Sequence, residues 1–338
     1  MKLNGIHAFE FNYLKDEYPL SQEWRDIQAF EHSVTVCDVN IVLFGMSATH
    51  KSGKEISASS IHDFEHIASG GLAAAYFELL ERTALIEASS VPHFPIINYL
   101  GEEFGQIDYT RVFPGSPDPR WKYSLSNGIS ANIGREAACK SANFELIERD
   151  LILRSWYDNL KSIKVSNWVE FPTSFNDNYD IQSYSFSNSD QDCSVVGIFG
   201  FPKIHIPLIY GFGARATIDE AIAVAKRECI QRLGFLWGES IPSQAPTLKC
   251  TAEFHQAFYL YPPHHIKLRN WLDNDLGRMM HVPTCKIENR QFIDLTPDHL
   301  KHKMYVVKAL LKSEIPLTFG LPRSCNRIYP DRTIHPIA

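Results

Sequence analysis

Apolar residues recur at three- and four-residue intervals over residues 61–89, 135–160 and 217–238, a period that predicts three long helices with one buried face each. Pro92 and Pro95 close the first, because proline has no amide hydrogen to donate and its ring blocks the preceding turn. Thr217 opens the third: its hydroxyl and the Glu220 carboxylate have the Thr-x-x-Glu spacing of a capping box. Elsewhere the runs are shorter. VTVCDVNIVLFG predicts a strand followed by a mobile loop at THKSGKEISASS, residues 96–126 predict strands and turns, and Asn127-Gly128 predicts a tight turn. VVGIFGF and IHIPLIYGFG predict paired strands, and MYVVKALL the last strand. Residues 174–193, rich in Asp and Ser, the Pro- and His-containing stretch after 238, and the closing TFGLPRSCNRIYPDRTIHPIA predict irregular chain. Helices alternating with strands make the expected class α/β, or mixed α+β, with long helices packed on mixed sheets. No boundary is sharp enough to force two domains on the 338 residues.

Composition narrows the partners. With 44% apolar residues the chain can bury a sizeable core, and a formal charge of -6 leaves no surplus of Lys and Arg to grip a phosphate backbone, so nucleic acid is not an expected partner. No apolar run approaches the ~18 residues of a membrane helix. The start MKLNGIHAFEFNYLKDEYPL lacks the charged-then-apolar order of a signal peptide, which makes a cytoplasmic protein without a membrane segment the expectation. Seven cysteines, odd in number and without a Cys-x-x-Cys pair, predict reduced structural thiols.

The letters FELLER at 77–82 return as FELIER at 144–149. On a helix Glu78, Glu81 and Arg82 share one face, as do Glu145, Glu148 and Arg149. A solvated helix with surface ion pairs shows the same spacing, at only ~0.3–0.5 kcal/mol per pair. Around the first copy, however, GGLAAAYFELLERTALIEA sets Ala74, Ala75, Ala84 and Leu85 above and below the glutamates, and a carboxylate on an apolar face needs a cation. One Arg cannot neutralise two glutamates. A hard divalent ion such as Mg2+ suits the deficit, since it binds one or two carboxylates together with waters and the phosphates of a nucleotide. The third helix adds Glu228 and Gln231, again three apart after an apolar stretch.

The stretch NGISANIGREAACKSANFELIERDLILRSW (127–156) resembles the core of the YcaO family, whose members read Asn-Gly-x-Ala-Ala-Gly-Asn before a helix ending Leu-Glu-Leu-Ile-Glu-Arg-Asp. FELLER is similar to that family's earlier Glu-x-x-Glu-Arg helix, GFGARATIDEAIAVAKRECIQRL (211–233) to its Gly-x-Gly-Ala segment and Glu-x-x-Gln helix, VVKALLKSEIPLTFG to its late strand, and HPIA to its proline-rich carboxyl end. The resemblance runs from about residue 50 to the end. It implies a single YcaO-like domain over 1–338, with a divergent part at 1–60, the nucleotide- and metal-binding helices and strands at 61–238, and a carboxyl-terminal part with its Pro-containing tail at 239–338.

The resemblance further implies an ATP- and Mg2+-dependent enzyme that activates a backbone amide of a ribosomally made precursor peptide. A nucleophile adds to the amide carbon, the oxyanion attacks the γ-phosphate, and phosphate departs with the former amide oxygen. A Cys, Ser or Thr side chain as nucleophile gives an azoline, sulfide a thioamide, and an amine an amidine. Carried over, Glu78, Glu81, Glu145, Glu148 and Glu228 hold metal or its waters, and Arg82 and Arg149 orient those carboxylates or touch phosphate in catalysis. Gln231, Asn127 and Lys54 lie near the nucleotide, and the tail from Pro330 to the Ala338 carboxyl end reaches the cleft. The chain carries Asn132-Ile133 where Gly-Asn is usual, Ala74 for a Ser, Val224 for an Arg, and a Pro-Ile-Ala end. These departures support the alternative of a catalytically degenerate subunit that acts as a binding partner or scaffold. The short amino-terminal part leaves little room for a leader-binding domain, so a leader-binding or activating partner protein is expected, and a homo-oligomer is a further assembly to consider.

Other signals compete less well. His62-Asp-Phe-Glu-His66 matches an inverted zinc-protease motif, but no further ligand set follows it. Pro262-Pro263-His264-His265 reads as a loop, Lys51 and Lys54 as a solvated loop as readily as phosphate contacts, Asn127-Gly128 as a hairpin turn as readily as a nucleotide-facing loop, and Asp150 as a packing residue.

Overall fold

The computed structural model describes residues 3–61, 70–116, 118–165, 170–187, 193–274, 277, 286–321 and 333–338. In chain order its elements are α1 (Gly5–Glu17), β1 (Trp24–Val36), β2 (Val39–His50), β3 (Glu55–Ile61), α2 (Gly71–Ala88), β4 (His93–Ile97), β5 (Glu103–Asp108), α3 (Tyr109–Val112), β6 (Trp121–Tyr123), β7 (Ile129–Asn132) and α4 (Arg135–Tyr157). There follow β8 (Ile163–Lys164), α5 (Thr173–Asn178), β9 (Tyr179–Ser185), β10 (Ser194–Pro202), β11 (Ile209–Arg215), α6 (Ile218–Leu236), α7 (Ala252–Leu260), α8 (His265–Leu272), β12 (Phe292–Asp294), β13 (Tyr305–Ala309) and β14 (Thr318–Gly320). The three expected helices are α2, α4 and α6, although α2 begins at Gly71 and Ile61, expected to open it, is the last residue of β3; Thr217 and Glu220 form the expected reciprocal cap on α6.

Contacts divide the chain into two units. Unit one takes Met1–Val112, Gly128–Asn143 and Lys286–Leu310. Its first sheet is the antiparallel meander β1-β2-β3, and its second runs β5-β4-β12-β13-β7, with every neighbouring pair antiparallel. Leu72, Ala75, Tyr76, Leu79, Leu80 and Ala84 make one face of α2 almost fully buried, and that helix packs on β2 and β3. Spacing of three and four puts these side chains on one stripe, which is what the sequence period predicted.

Unit two takes Phe113–Asn127, Phe144–Cys285 and Leu311–Ala338. Its main sheet has the order β11-β10-β9-β8, and β14 pairs with β6. A dense aromatic core includes Trp156, Trp271, Phe186, Phe199, Tyr210 and Phe212, with the two tryptophans edge to face at 5.1 Å and Trp271 Nε1 donating to Ser155 Oγ at 3.0 Å. A buried indole N–H needs such an acceptor. Helix α6 lies on β10 and β11 so closely that a Cβ on Gly211 would fall 2.4 Å from the Ala225 carbonyl oxygen, and one on Gly213 would fall 2.3 Å from that of Ala221. Only glycine fits.

Several segments expected to be irregular are ordered. The loop predicted at THKSGKEISASS shrinks to a turn at 51–54, since residues from Glu55 on pair with β2 as β3. The Asp- and Ser-rich stretch holds α5 and β9, the Pro- and His-containing stretch holds α7 and α8, and Thr318–Gly320 of the closing segment forms β14. Asn127-Gly128 is a turn with Gly128 at φ 72°, yet no hairpin: β6 pairs with β14, and β7 pairs with β13.

Candidate functional site

In unit one, burial of the Leu79, Leu80 and Ala84 face leaves Glu78 and Glu81 half-buried on the flank of α2. Glu78 accepts the Ser59 amide of β3 at 3.0 Å and pairs with Arg82 at 2.5 Å, and Arg82 also donates to the Ser57 carbonyl. Glu81 accepts the Ala131 amide at 2.6 Å, inside the ISAN strand that belongs to the second conspicuous motif. Lys54 is exposed in the turn between β2 and β3, where its carbonyl accepts from His50. Ile133 is 56% exposed, and the Asn132 side chain just before it accepts the Gly134 amide at 3.2 Å.

Unit two gathers Glu145, Glu148 and Arg149 of α4 with Glu228 of α6. Arg149 pairs with Glu145 at 2.5 Å, while its Nε is buried without a hydrogen-bond partner among the described residues. The Gly211 and Gly213 contact brings α6 against β11, and Glu228 uses that closeness to accept the Phe212 amide at 2.7 Å. Gln231 is half-buried one turn further along α6. Asn127 is buried in the Phe113–Asn127 segment.

These carboxylates repel one another. Glu148 and Glu228 each keep some exposed surface, but dense protein surrounds both. Burial pushes Glu148 up to about 8, the charge of Glu228 adds to the rise, and Arg149 opposes it. Glu228 is raised as well, by burial, against the pull of Arg232 and the Phe212 amide. Desolvation also lowers Arg215, whose charge acts on Glu148. The set therefore resists full ionisation until a further cation arrives.

Oxygen donors carrying excess negative charge fit Mg2+. Among the described residues no three His, Cys, Asp or Glu side chains converge into a complete cage. Mg2+ seldom needs one, because it keeps waters and takes the rest of its shell from one or two carboxylates and substrate phosphates.

The tail contributes a different chemistry. Ile334, His335 and Ile337 are buried in the core of unit two, and Ala338 is exposed. His335 lies within electrostatic reach of Arg149. Residues 330–332 of the expected tail lie outside the described residues, as does the whole of His62–His66. His264 and His265 hydrogen-bond to the Phe258 and Tyr259 carbonyls at 2.8 and 3.0 Å, which ties them to the end of α7. Asp150 receives Arg154 and the Ile315 amide, a packing role.

Antiparallel sheets clad by Glu-bearing helices, with the Gly-x-Gly strand under one of them, make this a mixed α/β protein with excess carboxylates beside its sheets. Within that class the chain belongs to the YcaO family: the family model described as YcaO cyclodehydratase, ATP- and Mg2+-binding, matches residues 106–310, more than half of the chain. ATP and Mg2+ are the ligands that accompany this membership. The matched span contains Glu145, Glu148, Arg149, Glu228 and Gln231 and begins after α2.

The fold is similar to that of YcaO from Methanopyrus kandleri bound with AMPPCP and Mg2+, at TM-score 0.60 and 15% identity over 90% of each chain. It is also similar to a heterocyclase in complex with substrate and cofactor (0.58, 13% identity), covering 92% of this chain and 52% of that one. A chain of the E. coli microcin synthetase McbBCD complex matches at 0.58 with 11% identity, over 84% of this chain and 87% of that chain. No curated protein matches the sequence. Among the described residues no helix is long and apolar enough to cross a membrane.

Sequence reasoning missed Arg232, although Glu228-Cys-Ile-Gln-Arg232 repeats the Glu-to-Arg spacing of four found in the other two helices. Arg232 donates to the Tyr210 carbonyl at 3.1 Å, stacks over that ring at 3.9 Å, and its charge acts on Glu228. Arg215, directly after Gly-Phe-Gly-Ala, and the histidines 255 and 335 had no local signal.

Proposed function

We propose that this protein is a cytoplasmic ATP- and Mg2+-dependent enzyme that activates backbone amides of a ribosomally made precursor peptide, forming azolines from Cys, Ser or Thr by cyclodehydration. Thioamide or amidine formation would use the same amide activation with a different nucleophile. The observation that carries the reading is the pair of raised carboxylates, Glu148 and Glu228, beside an Arg149 Nε that is buried without a hydrogen-bond partner among the described residues. Bound Mg2+-ATP supplies the phosphoryl group that takes the amide oxygen away as phosphate.

Glu145, Glu148 and Glu228 would hold the metal or its waters, in their ionised form. Glu228 is held in place by the Phe212 amide. Arg149, oriented by Glu145, offers its free Nε to a phosphate oxygen, and a planar guanidinium suits that contact. Gln231 and Asn127 contact the nucleotide. In unit one Glu78 and Glu81 form a second carboxylate set, Arg82 orients it, and Lys54 is available to phosphate. The Ala338 carboxylate acts at the peptide. A leader-binding or activating partner protein delivers the peptide, and self-association is an open assembly state.

A second reading, a scaffold subunit without turnover, is favoured by one observation: an apolar, exposed Ile133 in the place where the resemblance calls for an amide. Calorimetric titration with a non-hydrolysable ATP analogue, with and without Mg2+, separates the two. Mg2+-dependent binding that disappears in Glu148→Gln supports the enzyme. Absence of binding by the native chain at millimolar nucleotide supports the scaffold.

A further inference from the structure

The last residues of the chain are fastened by hydrogen bonds to α7 and β14. His335 Nε2 donates to the Thr318 carbonyl at 2.7 Å. His255 Nε2 faces the Gly320 amide at 3.0 Å, so it must accept. That fixes the His255 proton on Nδ1, which donates to the His335 carbonyl at 3.0 Å. The Tyr259 hydroxyl donates to the Ile334 carbonyl. The two imidazoles stand 4.3 Å apart, with Phe319 against both and Tyr157 edge-on to His335.

This geometry favours neutral rings, although the Ile337 and Thr318 backbone beside His335 pull the other way. A proton on His255 Nε2 would set a donor against the Gly320 donor, and two imidazolium rings at that separation would repel. The titratable and charged groups around them are Arg149 and Tyr157 of α4, Tyr259 of α7 and, through Tyr259, Tyr210 of β11. Arg149 opposes a positive charge on His335, and none of these groups is a carboxylate.

We propose that His255 and His335 are positioning residues, a neutral imidazole pair that pins the carboxyl end of the chain and thereby holds the exposed Ala338 carboxylate at one fixed place on unit two. The use of that carboxylate rests on the function proposed above; the pinning does not. Burial supports the assignment, holding His255 down at about 4 and His335 well below the ordinary imidazole range. A released tail would titrate near 6.5, so docking is at full strength above that pH and weakens as pH falls through it, by about a hundredfold at pH 5.5 if both rings take a proton.

Amide hydrogen exchange of the 333–338 segment in the full chain, corrected for intrinsic rates and read against β10 as an internal control, tests the pin between pH 8 and 5.5. His335→Ala is expected to speed exchange of the segment at least tenfold at pH 8. His335→Gln keeps a donor near the Nε2 position and cannot be protonated. It should restore native protection at pH 8 and reduce the pH dependence of docking from two protons to one. Unchanged exchange in the Ala variant, no rescue by Gln, or an undiminished two-proton dependence in the Gln variant overturns the proposal. Mg2+-nucleotide titration of the same samples keeps the two readings apart: a native chain that binds no nucleotide defeats the enzyme reading and leaves the exchange result standing.

Discussion

Replacing Glu148 by Gln should make the metal-free protein more stable while removing its affinity for Mg2+-nucleotide. A rise from the usual 4.5 to about 8 corresponds to about 5 kcal/mol against the ionised form, at ~1.4 kcal/mol per pH unit. The carboxyl takes up a proton instead of bearing that whole cost, which caps it near ~3 kcal/mol at pH 7. Part of the cost belongs to Glu228, which rises together with Glu148, so about 2 kcal/mol is the expected gain. The sign follows from the direction of the shift. A carboxyl raised in the folded state binds more protons than in the unfolded chain between pH 4.5 and 8, so its penalty is absent below 4.5, grows through that window, and is complete above 8. Urea unfolding in EDTA at pH 5, 7 and 8.5, followed by tryptophan fluorescence from the unit-two core, measures the difference between native and Gln chains. A variant less stable than native at pH 8.5, or a difference that does not grow with pH, refutes the reasoning.

Two further outcomes follow from the same geometry. Mg2+-nucleotide binding should release about one proton at pH 7, and its affinity should climb about tenfold per pH unit up to the Glu148 value and then level off. Calorimetry in buffers of different ionisation enthalpy checks this, and zero proton release counts against Glu148 as a ligand. Gly213→Ala places a Cβ against backbone that cannot move aside, so urea unfolding should show a loss of at least ~2 kcal/mol. A neutral result would mean that α6 can lift from the sheet.

What the sequence revealed depended on range. Glu78, Glu81, Glu145 and Glu148 were legible because helical spacing is local and the same letters occur twice. The amino-terminal sheet was only partly legible, because β1 mixes Glu31, His32 and Ser33 with apolar letters on a half-exposed surface, and its turn at Cys37-Asp38 takes positive φ (49° and 59°) without the usual Asn-Gly. Helix α1 escaped notice because Ile6, Phe9 and Tyr13 are exposed while Phe11 and Leu14 are buried, which blurs its stripe. Contacts such as Glu81 to the Ala131 amide, or His255 to the Gly320 amide, join residues far apart in the chain and have no sequence period to announce them.

Because main chain rests on main chain where α6 meets β11, there is no side chain at Gly211 and Gly213 to change rotamer and let the helix slide. Glu228, whose carboxylate accepts the Phe212 amide of that strand, is thereby held in register with β11.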